Sequence, residues 1–204
     1  IASDRLIDEN RLYKMGSNIR YFLQDAEKGG AVAFAVKEGI KVAHSKFVSV
    51  TTDESMLVTP GVVKATLDAI KINGNAVVVV PAFHIDIAAS KNHNIRGYKK
   101  DRATDLLNSV HWKEDGYRLF DFGLLSISSK EYRNFLNITE SSFLTLPKSL
   151  FGKIGVYDED SNFKDSRYTN LDIFNRACEQ ENTPVYLALF EGTFSQYCDP
   201  RTIG

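Results

Sequence analysis

The spacing of apolar positions changes several times along the chain, and each change marks an element. Ile19-Arg20-Tyr21-Phe22-Leu23 reads as a short strand, after a polar, weakly helical stretch over residues 1–15. Val32, Val36, Ile40 and Ala43 recur about every four residues, which predicts an amphipathic helix from Gly30 to His44 behind the breaker Gly29-Gly30. Phe47 to Val50 reads as a buried strand and runs into the polar cluster Thr51-Thr52-Asp53-Glu54-Ser55. Thr59-Pro60 predicts a helix start, with Thr59 as N-cap, Pro60 at the first helical position, and Val63, Leu67 and Ile70 along one face. Asn73-Gly74-Asn75 ends that helix. Ala76 to Val80 is apolar at every position, the pattern of a central strand covered on both faces in a mostly parallel sheet.

The second half is less regular. From His84 to Asp115 polar loop character dominates, with one helical stretch near Arg102 to Val110. Leu119 to Ile127 holds strand-like pieces. Ser141 to Leu146 reads as a strand and Pro147 to Ile154 as a short helix. Thr169 to Gln180 reads as a helix with Leu171, Phe174 and Cys178 on one face, Pro184 to Phe190 as a last strand, and 191–204 as polar loop. Alternating strands and helices predict an α/β fold, a mostly parallel central sheet with helices on both faces. No repeat, low-complexity tract or linker divides residues 1–204, so a single domain is expected.

Composition narrows the function classes. The chain has 204 residues, 43% of them hydrophobic, which is too apolar for disorder. The 25 basic and 26 acidic residues nearly cancel, so no basic footprint for nucleic acid or anionic lipid is expected. Cys178 and Cys198 alone make neither a disulfide scaffold nor a four-cysteine zinc site. No apolar run approaches the roughly 20 residues of a membrane helix, and no signal-peptide pattern opens the chain; both point to a cytoplasmic protein. Glycine-rich dinucleotide and P-loop motifs, the nucleophile elbow of α/β-hydrolases and His-Glu-x-x-His spacing are all missing.

Asp53-Glu54-Ser55 lies where a strand ends before the next helix begins, the end of an open α/β sheet at which ligands bind. There the carboxylates either hold a divalent cation or cap a turn and face solvent. His84 ends the stretch after the central strand and would point at the same cleft; His44, His93 and His111 read as helix-end, loop and structural residues. Trp112 and Tyr117 read equally as a platform for a sugar ring or as core aromatics. Asp172, in Thr169-x-x-Asp172, has the spacing of a capping box.

Several segments together resemble nucleotide-sugar glycosyltransferases of the GT-A fold, in a bacterial subgroup of family 2-like enzymes. They are Phe47 to Gly61, with an acidic motif and a Pro-Gly helix start; Trp112 to Phe120; Glu140 to Phe151; Gly155-Val156-Tyr157-Asp158-Glu159; Asn170 to Ala177; and Glu191-Gly192-Thr193-Phe194. The likeness runs from about Gly30 to Gln196. It implies a GT-A-like, Rossmann-like domain, with residues 17–81 forming the nucleotide-sugar and metal half and 82–204 the acceptor half. It further implies transfer of a sugar from a nucleoside-diphosphate donor to a saccharide hydroxyl, as in glycan or polysaccharide synthesis. Asp53 would meet Mn2+ or Mg2+, with Thr52, Glu54 and His84 at the donor. Asp172 or Glu140 would act as the catalytic carboxylate, and Trp112, Asp115 and Tyr117 would bind the acceptor.

The chain departs from that pattern in three places. Ser195 and Cys198 stand where the subgroup has histidines. Asn170 falls where the wider family has its basic carboxylate. Only 52 residues precede Asp53, so the resemblance implies an N-terminally truncated nucleotide-binding unit, completed by a missing segment, another chain or a homo-oligomer partner. These departures support the alternative of a non-catalytic module, derived from a transferase, that binds a glycan or a protein.

Overall fold

The computed structural model describes residues 2, 3, 10, 12, 14, 16, 18–23, 31–51, 57–85, 105, 107–125, 143–156 and 166–196. Two-residue strands β1 (Ala2–Ser3) and β2 (Phe22–Leu23) pair in parallel. Helix α1 (Ala31–Val42) leads to β3 (Phe47–Thr51), then β4 (Leu57–Val58), helix α2 (Val62–Ile72), β5 (Val77–Val80) and β6 (Ala82–Ile85). A 3-10 helix (Gly116–Asp121) precedes β7 (Gly123–Leu125). The chain continues through β8 (Phe143–Pro147), α3 (Lys148–Ile154), α4 (Ser166–Cys178), β9 (Val185–Leu187) and β10 (Thr193–Gln196).

Two four-stranded sheets carry the fold, ordered β3-β8-β5-β9 and β4-β10-β6-β7. Both are mixed. In the first, β8 runs antiparallel to β3 and β5, while β5 and β9 are parallel. In the second, β10 and β6 are parallel and the outer strands β4 and β7 are antiparallel to them. The expected mostly parallel sheet is therefore corrected. Val77 to Val80 are fully buried because helices cover both faces of β5, and an all-apolar run reports that double cover rather than strand direction.

One face of the first sheet holds the row Val50, Leu144, Val79 and Leu187, packed under α1, α3 and α4 through Ile40, Leu150, Phe151, Ile173 and Ala177. The other face holds Val78 and Tyr186 against Ala69 and Ile70 of α2, and there Ser49 and Thr145 hydroxyls pair across strands at 2.7 Å. Cationic side chains tie the three helices of the first face end to end. Lys148, opening α3, donates to the carbonyls of Lys41 and Ala43 at the end of α1, at 3.2 and 2.7 Å. Arg176 of α4 donates in turn to the carbonyls of Ile154 and Gly155 at the end of α3. Each cation satisfies carbonyls that a helix end leaves without a partner.

Two segments run through both sheets side by side. Residues 77–85 pass from β5 to β6 across Pro81, and 185–196 pass from β9 to β10. Val79 pairs with Leu187 and Ala82 with Thr193, so a step of three residues on one segment matches a step of six on the other. The extra length loops out over 188–192. It is closed by Ala188 N–H donating to Val79 O, Glu191 N–H to Ala188 O and Thr193 N–H to Pro81 O.

Other expectations shift in informative ways. Two of the three residues of the expected α2 face are turned outward: Val63 and Leu67 are exposed, Ile70 packs against the core, and Val62, Thr66 and Ala69 are buried. Gly61 rather than Thr59 stands at the helix start. Helix α4 begins at Ser166, so Asp172 is past its first turn and caps nothing; Ile173 and Ala177 form the buried side, while Cys178 is exposed. The stretch read as terminal loop contains β10, an interior strand of the second sheet.

Leu144 sits in the middle of the larger core with no solvent exposure. Leu144→Ala is expected to cost about 2–5 kcal/mol, read as a lower urea midpoint at unchanged slope.

Candidate functional site

The second sheet carries an aromatic cluster on one face. Phe83 and Phe194 stack at 5.1 Å between centroids, and Phe120 meets both edge-on. Leu119, Phe122 and Ile85 close this core, with Trp112, Leu107 and Val110 packed against it. Trp112 is thus partly buried on the aromatic core, with the Lys113 ammonium 6.0 Å from its ring. Side chains alternate along strands, so His84 and Ser195 occupy the opposite face. They are register partners on β6 and β10, and Ser195 Oγ lies 3.5 Å from His84 Nδ1.

A buried carboxylate joins this sheet to its surroundings. Glu191, 8% exposed, accepts hydrogen bonds from the Thr59 hydroxyl at 2.5 Å and the Tyr117 phenol at 3.1 Å. Thr59 Oγ1 also accepts from Gly192 N–H at 2.9 Å, and Thr59 N–H donates to Gly192 O at 3.0 Å. Three segments distant in sequence therefore meet: the β4–α2 junction, the 3-10 helix and the loop before β10. Their approach leaves no room for side chains at two glycines. A Cβ on Gly61 would strike the Glu191 carboxylate and come within 2.6 Å of the Tyr117 oxygen, and one on Gly116 would meet the Pro60 ring at 2.8 Å. The start of α2 beside Glu191 also favours a negative charge there.

The residues singled out from sequence are placed unevenly. Thr52, Asp53, Glu54 and Glu140 lie outside the described residues, as do His93 and Cys198. Tyr117, itself 43% exposed, is held by Glu191. Asp115 caps the 3-10 helix, its carboxylate accepting from Tyr117 N–H at 3.0 Å. Asp172 forms a half-buried ion pair with Arg176 at 2.5 Å, and the same guanidinium binds the end of α3. Asn170 is buried in the same helix. Among the described residues, no group of three or more His, Cys, Asp or Glu side chains is placed to hold a metal ion. No described helix is long and apolar enough to cross a membrane.

Sequence reasoning missed Glu191 and Thr59 as a pair. Thr-Pro-Gly signals a helix start, and nothing local signals that the threonine hydroxyl reaches a carboxylate 132 residues away.

The phenol of Tyr117 is held above its ordinary pKa, chiefly by its hydrogen bond to the Glu191 carboxylate and further by burial. A raised native value means that the bound proton stabilises the fold in full below the ordinary tyrosine value of about 10, and this contribution fades as pH rises through the native value. Absorbance titration of the tyrosines should show a late-ionising component that is reduced in Tyr117→Phe and moves earlier in Glu191→Gln. Gly61→Ala should force apart Glu191 and Tyr117 and cost about 1–3 kcal/mol in urea unfolding. Gly152→Ala, at a helical position where a Cβ meets nothing, should instead stabilise by about 0.4–1 kcal/mol. The chain matches no protein-family model and no curated protein.

Proposed function

We propose that the chain is a glycosyltransferase that moves a sugar from a nucleoside-diphosphate donor to a saccharide hydroxyl. The observation that supports this reading is where the chain enters the second sheet. Leu57 opens β4 opposite Phe194, at the side of β10 that continues to Ser195, and Ser195 stands beside His84. Asp53 and Glu54 lie in the connection that leads into β4. Asp53 and Glu54 stand four and three residues before β4 in the sequence, and this is the ground for assigning them, with His84, to one diphosphate site. Carboxylate oxygens of this kind hold Mn2+ or Mg2+, which supply electrostatic stabilisation of the leaving diphosphate. His84 would contact the diphosphate and Thr52 the nucleotide. Glu140 would accept the proton of the attacking hydroxyl, because the Asp172 carboxylate is already engaged by Arg176. Tyr117, Asp115 and Trp112 would flank the acceptor.

A second reading is a transferase-derived module that binds a glycan or a protein without turnover. The Asp172–Arg176 pair and buried Asn170 favour it, since neither candidate position on α4 offers a free carboxylate.

Calorimetric titration with uridine, guanosine and cytidine diphosphates, with and without Mn2+, separates the two. The transferase reading expects metal-dependent binding of one nucleotide that is lost in Asp53→Ala. Absence of binding to all three would overturn it and leave the module.

A further inference from the structure

We draw no further inference here: the strongest candidate, the buried Glu191 carboxylate held by Thr59 and Tyr117 where the loop before β10 meets the start of α2, belongs to the site already described and has its hydrogen bonds met from within the fold.

Discussion

A carboxylate taken out of water has to be repaid in hydrogen bonds, and at Glu191 that requirement brings three distant segments together. Its two oxygens are met by Thr59 and Tyr117, and the hydroxyl of Thr59 is oriented by the Gly192 N–H. Removing Thr59 leaves a buried carboxylate oxygen without its partner. The β4–α2 junction, the 3-10 helix and the loop before β10 are therefore positioned by a shared constraint and not by three separate ones. Gly61 and Gly116 record how close the approach is, because neither site has space for a methyl group.

This arrangement also explains how two small mixed sheets form one scaffold. The segments 77–85 and 185–196 remain neighbours from the first sheet into the second, so the sheets share a pair of strands bent at one place. The bend needs unequal lengths on its two sides. The shorter path crosses Pro81, which has no N–H to leave unpaired, and its carbonyl accepts from Thr193. The longer path loops outward and turns Glu191 inward. Hydrophobic packing stabilises the sheets on either side of the bend, and hydrogen bonds hold the bend itself.

Much of the first sheet and its helices was legible in the sequence, because their signals are local. The four-residue spacing of Val36 and Ile40, the valines of β5 and the Asn-Gly-Asn stop all report burial or backbone preference within a short window. Strand direction was not legible, since a doubly covered strand is apolar whichever way it runs. Nor was the orientation of α2, where Val63 and Leu67 look like a core stripe while the side actually buried includes Thr66, whose hydroxyl is satisfied by Val62 O. β10 escaped notice because Thr193 and Ser195 read as polar loop, although Thr193 is buried and only Phe194 carries the hydrophobic signal. The candidate site is alike in this. His84 is singled out by its place after the central strand, whereas its neighbour Ser195 and the buried Glu191 depend on pairings more than a hundred residues apart.

The cations that join the helices have a consequence for how the protein breathes. The end of α1 is held by the first residue of α3, and the end of α3 by Arg176, which Asp172 steadies from one turn earlier in α4. Fraying is cheapest at helix ends, but here each of these ends is secured by the next helix along. Opening α4 would unfasten α3, and opening α3 would unfasten α1. The layer over the first sheet should therefore exchange its amide hydrogens as one cooperative unit, while α2 on the other face opens independently.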